Sequence, residues 1–380
     1  MKILHFGTLD ANAGGPAMST YYTLYGLCQQ GVNAEIIMYP LSAKGCLRGE
    51  KVPIHYAKAP WEHKFAYSPT LKKEIEALGS YDIYHAQGIW QYPTYAIIDI
   101  ARKKEKPYLI TPRGMLYPQD IQKSNKFFKI LSLKIRLLND LNHAACVQVT
   151  CTDEMVHCRN LGITSPIAII PNPIEIKEYP EKKKDTIFRI GYLGRLSPRK
   201  NVESLIYAFH ELKDLTKQNA ELLIIGGGDN KYEQFLKSEV KRLNLNNVKF
   251  TGFLSGKAKD EAIASLSVLA MPSEFENLGN VILEGLIRRI PCIATKGAPW
   301  EELEKHQCGW WIDYNQKAIT ETIKKALQLN KEELHIMGER GYKLVIDKYS
   351  VEAIAKSMHS LYNAILENNL KSLNFCYFNE

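Results

Sequence analysis

The stretch SVLAMPSEFENLGNVILEG (267–285) decides how this chain is read. It opens on a short, continuous apolar run, passes through a polar loop with a Gly-Asn step, and resumes as NVILEGLIRR at helical spacing. A fully apolar strand feeding a helix is the unit from which parallel sheets are built. If the helix begins near Gly279, the N–H groups of Gly279, Asn280 and Val281 lack partners in its first turn and point off its end. Gly279 lets a phosphate approach the backbone, and the helix dipole favours negative charge there. Glu276 precedes that point, with Asn277 and Leu278 between. Glu284 lies beyond it by five residues, roughly 7 Å along the helix. Two carboxylates then bracket one anion site, and carboxylates accept hydrogen bonds from paired hydroxyls. A diphosphate with hydroxyls on both sides is a sugar nucleotide. The competing reading is that acidic residues near a helix start simply complement its dipole.

Outward from this junction, apolar strands alternate with helical patterns along the whole chain. The first half carries KILHFGT (2–8), AEIIMYP (34–40), YDIYHAQ (81–87), PYLITP (107–112), CVQVTC (146–151) and IAIIPN (167–172). The second carries FRIGYLGR (188–195), AELLIIGGG (220–228), NVKFTGF (247–253), PCIATK (291–296) and GWWI (309–312). Two such series predict two α/β doubly wound domains, 1–176 and 185–349, as does a length of 380 residues. The charged segment KEYPEKKKDT (177–186) has no periodicity and reads as the linker. From 317 to about 370 the pattern is almost entirely helical.

Composition narrows the partners. A hydrophobic fraction of 45% with 24% charged residues describes a globular chain, and a net charge of +8 suits anionic partners. Aromatic residues are not clustered with arginines, so nucleic acid is not expected. The start MKILHFGTLD lacks the long apolar stretch and small-residue cleavage site of a signal peptide, and no apolar run reaches membrane-span length. A cytoplasmic location follows as the expectation. The eight cysteines, Cys28, Cys46, Cys146, Cys151, Cys158, Cys292, Cys308 and Cys376, form no CxxC pair and read as free core thiols.

Two more strand ends bear on the anion site. In GRLSPRKN (194–201), Gly194 and Arg195 close a strand and Lys200 opens the next helix, so two cations stand where a departing pyrophosphate would need them. The plainer alternative is a pair of solvated basic residues. The triplet beginning at Gly226 fits a turn beside a nucleotide but is weak by itself.

At this point the chain resembles the retaining GT-B glycosyltransferases of family 4, of the bacterial surface-polysaccharide type. The resemblance rests on GGPA near the N-terminus, GRLSPRKN, NVKFTGF, the E-x7-E stretch ENLGNVILE and PCIATKGAPWEEL, in the family's order. It implies two Rossmann-like domains facing a central cleft, with a last helix (350–370) returning to the N-terminal domain. It implies a UDP- or GDP-sugar donor and no bound metal or other cofactor, in keeping with the absence of an Asp-x-Asp triplet. Arg195, Lys200 and the amides near Gly279–Val281 would bind the diphosphate, Glu284 the ribose, and Glu276 the donor sugar. Gly15 would close over the donor from the acceptor domain. The sugar would pass to a glycan or polyprenyl-linked acceptor.

One departure from the family concerns PYLITPRGML, where many relatives carry a histidine and this chain has Arg113. An arginine cannot act as a base. It reads as a contact for donor sugar or phosphate, with a structural ion pair as the alternative. His85 and Gln87 would line the acceptor cleft, unless His85 is a satisfied core histidine. The segment KSNKFFKILSLKIRLLNDL (123–141) is basic and amphipathic, suited to the inner face of a membrane or to packing on the sheet. Two other functions remain open: a sugar-nucleotide epimerase of the same fold, and a non-catalytic sugar-nucleotide-binding subunit.

Overall fold

In the computed structural model, which describes residues 1–10, 14–40, 52–62, 64–123, 125–181, 186–216 and 219–379, the apolar runs form two sheets. Cys46, Ser124, positions 11–13 of the N-terminal glycine turn and 182–185 of the expected linker lie outside the described residues. The chain divides into one unit of Met1–Glu175 with Ser350–Glu380 and another of Ile176–Tyr349.

The first unit is built on β1 (Lys2–Phe6), β2 (Asn33–Met38), β3 (Ile54–Tyr56), β4 (Ile83–Gln87), β5 (Tyr108–Thr111), β6 (Cys146–Val149) and β7 (Ile167–Ile169). They lie in the order β3-β2-β1-β4-β5-β6-β7, all parallel, with the short strand Cys376–Tyr377 antiparallel on β7. The strands read as continuous apolar runs because both faces are covered. On β1, Ile3 faces a cluster with Leu24, Leu27, Ile354 and Met358, while its neighbour Leu4 faces another with Tyr84, Ile97 and Ile110. β3 escapes the sequence pattern because its three residues, IHY, are at most half-buried.

The helix Val351–Leu366 packs on the helix Gly15–Gln29 closely enough to require glycine at Gly26. A Cβ there would sit 2.7 Å from Ala355 Cβ and 2.9 Å from the Val351 carbonyl oxygen. Buried polar groups add direction to this packing. The Tyr362 hydroxyl lies 2.8 Å from His85 Nδ1 and 3.1 Å from His5 Nε2, and His85 Nε2 lies 2.7 Å from the Thr111 hydroxyl. All these side chains are fully buried. They tie the C-terminal helix to β1, β4 and β5 at defined positions.

The second unit holds β8 (Phe188–Leu193), β9 (Ala220–Ile225), β10 (Val248–Gly252), β11 (Val268–Met271), β12 (Cys292–Thr295) and β13 (Gly309–Ile312). Their order is β10-β9-β8-β11-β12-β13, again all parallel. The seven described cysteines are free, and all but Cys28 are buried.

Burial, with the nearby positive charge of Arg113, pushes His5 down to about 3 and holds His85 well below its ordinary value, where the charge of His5 also contributes. Both rings therefore stay neutral in the folded protein while the unfolded chain takes up protons near pH 6.5. The stability they confer is complete above that pH and falls as pH drops toward the folded values, by at most about 1.4 kcal/mol per pH unit for each ring. The melting temperature should decline from pH 6.5 toward pH 4, and His5→Gln should flatten that decline. An unchanged slope in the variant would show that the acid sensitivity arises elsewhere.

Candidate functional site

In the second unit the chain runs from β8 to β9 to β10, then crosses back past β8 to resume at β11. The connections leaving β8 and β11 thus diverge, which leaves a crevice at the carboxyl ends of these two neighbours. The loops bordering it are 194–201 and 272–279, the segments singled out in the sequence. Three contacts join them. The Glu274 N–H donates to the Arg199 carbonyl at 2.9 Å, Asn201 Nδ2 donates to the Pro272 carbonyl at 3.3 Å, and the Lys200 ammonium pairs with the Glu276 carboxylate. The two paired side chains are only 18% and 11% exposed. The Ser273 hydroxyl donates to the same Glu276 oxygen at 2.8 Å.

The loop after β12 braces this arrangement. The Glu276 N–H donates to the Gly297 carbonyl at 2.8 Å, and a Cβ on Gly297 would lie 2.1 Å from the Glu274 carbonyl oxygen. Trp300 is fully buried and its indole N–H donates to the Leu278 carbonyl. Leu278, expected at the donor site, is itself buried, and its carbonyl is held by that bond. Gly279 has φ 74 and precedes the helix Asn280–Leu286, a left-handed conformation that glycine adopts without strain. Asn277, Asn280 and Val281 are half-buried around it. Glu284, one turn along, pairs with Lys259 of the helix Gly256–Ala264 at 2.5 Å.

Glycines also let the loop after β9 lie against the loop after β8. A Cβ on Gly226 would meet the Gly194 carbonyl oxygen at 1.9 Å, and one on Gly228 would meet that of Leu196 at 2.3 Å. Arg195, between those two contacts, is exposed, and among the described residues no hydrogen bond or ion pair engages its guanidinium. The structure therefore brings Lys200 and Glu276 together, leaves Arg195 exposed just after β8, and pairs Glu284, in the helix that follows β11, with Lys259.

The first unit repeats the topology, with its crevice between β1 and β4. A cavity of about 430 Å³ opens there, lined by Gly7, Pro16, Thr20, Gln87, Gly88 and Arg113 among others. Gly15 begins the helix at its edge. Arg113 departs from both expected roles. Its Nε and Nη2 donate to Gln87 Oε1 at 3.1 and 2.6 Å, its Nη1 to Ser19 and Asn172 at 2.9 and 3.1 Å, and its Nη2 to Thr20 at 3.1 Å. All five N–H donors are spent on neutral acceptors, leaving none for a phosphate and no carboxylate ion pair among the described residues. Burial pushes it down to about 10, still charged at neutral pH. Its backbone is left-handed at φ 56, a costly conformation for arginine. Arg113 is a positioning residue that fixes Gln87 and Thr20 in the cavity wall. His85 is fully buried in the network with Tyr362 and Thr111, so it does not line the cavity; Gln87 does.

Several partners had no signal in the sequence. Ser273 sits three residues before Glu276 and was locally readable. Lys259, Ser19 and Asn172 reach their partners across 25, 94 and 59 residues, where local pattern carries no information. Among the described residues no group of three or more His, Cys, Asp or Glu is arranged to hold a metal ion, and no helix is long and apolar enough to cross a membrane.

Comparison with known proteins agrees with this architecture. Residues 173–344 match the family model for glycosyl transferases group 1, and residues 14–173 match the glycosyl transferase 4-like domain. An uncharacterised glycosyltransferase of Methanocaldococcus jannaschii is 29% identical over 181 residues, 47% of this chain and 45% of that protein. A capsular polysaccharide biosynthesis glycosyltransferase of Staphylococcus aureus is 28% identical over 200 residues, 51% of each. The chain thus spans about half the length of the curated relatives it matches. The Anabaena protein Alr3699/HepE, solved in complex with UDP, superposes with a TM-score of 0.77 at 18% identity, over 96% of this chain and 100% of that one. At that identity the likeness is one of fold.

The Lys200–Glu276 pair has a consequence for stability. Lys200→Met strands a largely buried carboxylate and should cost about 1–3 kcal/mol in chemical denaturation. The double variant Lys200→Met/Glu276→Met should recover most of that loss. A double variant as unstable as the sum of the single ones would mean that the two groups act independently.

Proposed function

From the premise that the chain belongs to the group 1 glycosyltransferases of the GT-B fold, we propose that it moves a hexosyl group from a nucleotide-diphosphate sugar to a glycan or polyprenyl-linked acceptor of surface polysaccharide. The observation that carries this reading is the Lys200–Glu276 pair at the strand-order reversal of the second unit, with exposed Arg195 beside it. The capsular polysaccharide relative supports the surface-polysaccharide assignment. The UDP complex of the Anabaena neighbour supports a nucleotide donor, UDP or GDP here.

On this reading the diphosphate replaces Glu276 as the partner of Lys200. The freed carboxylate turns to the hydroxyls of the donor sugar, while Glu284 exchanges Lys259 for the ribose hydroxyls. Arg195 and Lys200 neutralise the charge that grows on the β-phosphate as its bond to the anomeric carbon breaks. The acceptor hydroxyl attacks from the same face and passes its proton to the departing phosphate oxygen, so configuration is retained. The two cations do this without a bound metal. The acceptor takes the cavity of the first unit, where Gln87 and Thr20 offer polar contacts. The reaction runs in the cytoplasm.

A thermal-shift panel of UDP-, GDP- and ADP-sugars should raise the melting temperature with one base only. Glu284→Ala should weaken that nucleotide about ten-fold, whereas Glu276→Ala should chiefly lower kcat, by about a hundred-fold. The anomeric configuration of the product, followed by NMR in the presence of EDTA, tests retention and metal independence together. Native kinetics in both glutamate variants would remove the site assignment.

A further inference from the structure

We propose that the first unit docks on an anionic lipid bilayer through one surface made by two separate segments, the helix Lys126–Ser132 with its π-helical continuation Leu133–Leu137 and the loop carrying Trp61, Phe65 and Tyr67. The helix supplies the larger share. Phe127, Phe128 and Ile135 are 72%, 69% and 72% exposed, and Leu131 is 41% exposed. Packing on the sheet accounts for Leu137 and Leu141, which are fully buried, and leaves these four without a role in the core. A π-helical turn, Leu133–Leu137, continues the helix Lys126–Ser132.

Charge identifies the occupant. Arg136 turns inward to Asp99 and Asp140, and Lys129 bonds the Asp120 carbonyl. Lys123, Lys126 and Lys134 stay exposed, and among the described residues no ion pair engages them. No acidic residue occurs between Lys123 and Asn139. Large apolar side chains rimmed by unpaired lysines match the boundary of an anionic bilayer, where the apolar groups enter the acyl layer and the lysines meet phosphates. A second copy fits poorly, because a two-fold contact sets lysines against lysines.

The loop extends this surface toward the cavity. Trp61 is 76% exposed. The carboxylate of Glu62 folds back to accept from the N–H groups of Lys64, Phe65 and Tyr67, which stiffens the loop and withdraws its acidic group from the lysines. The Phe65 ring lies 6.2 Å from that of Tyr95, whose hydroxyl is 2.6 Å from the Ser132 hydroxyl on the helix. Ala59, Pro60 and Ala66 of the same loop line the cavity. The docked surface therefore borders the cavity mouth, and the ligand it favours there is an amphiphile with its tail in the bilayer and its polar head among Thr20 and Gln87. Docking itself does not depend on the proposed reaction.

Flotation of the full chain with phosphatidylcholine vesicles, with and without phosphatidylglycerol, tests the proposal. Binding is expected with phosphatidylglycerol and should weaken about ten-fold without it or at raised salt. Phe127→Ser/Phe128→Ser should lower partition about ten-fold or more, and Lys126→Glu/Lys134→Glu should remove the lipid preference. Brominated lipid should quench the native chain's tryptophan emission, and Trp61→Phe should remove most of that quenching, leaving the part from Trp90 under Lys129, a readout that needs no change in the helix. The proposal is overturned by a native chain that fails to float with either vesicle, by a Phe127/Phe128 variant that floats as well as the native chain, or by a native dimer that this variant disperses.

Discussion

A parallel sheet whose chain fills one side of its first strand and then the other cannot close its carboxyl edge. Connections leaving the two neighbouring strands must diverge, and the gap between them is imposed by chain topology rather than by any side chain. Both sheets are wound this way, about β1 and β4 in one unit and about β8 and β11 in the other. The Lys200–Glu276 pair sits at one of these reversals and the cavity lined by Gln87 and Arg113 at the other.

What fills the gap differs in a physically informative way. In the second unit the polar groups are charged and paired, Lys200 with Glu276 and Lys259 with Glu284. Each acid already rests in the field of a cation, so neither carboxylate stands as a bare charge in a partly buried site. In the first unit the charged group in the cavity wall, Arg113, is saturated by five bonds to neutral groups. Its side chain is committed to structure, and the cavity presents amides and hydroxyls that suit an uncharged hydroxyl-bearing ligand.

Glycine has a separate function at the two ends of the second unit's crevice. At Gly226, Gly228 and Gly297 the issue is space, since a Cβ would fall within 2.3 Å of a neighbouring carbonyl oxygen. At Gly279 the issue is backbone sign, φ 74 just before the helix. In the triplet GGG, weak as a motif, loop crossing demands Gly226 and Gly228, and Gly226 also has φ 142, whereas a Cβ on Gly227 would meet nothing nearer than 3.8 Å.

The sequence by itself determined the alternation of strand and helix, the two-unit organisation and the segments that would border the site. Strands covered on both faces must be apolar throughout, and that demand is written locally. It also singled out Lys200, Glu276 and Glu284, each of which takes part in an ion pair in the structure. Only the tertiary structure decided which groups meet. Lys200 finds Glu276 across 76 residues, His85 closes onto Tyr362 across 277, and Arg113 is sealed by partners from three segments. The same holds for Phe127 and Phe128, whose apolar character is equally consistent with core and surface. Partner choice at such separations is set by how the crossovers stack on the sheet, and no local periodicity records that.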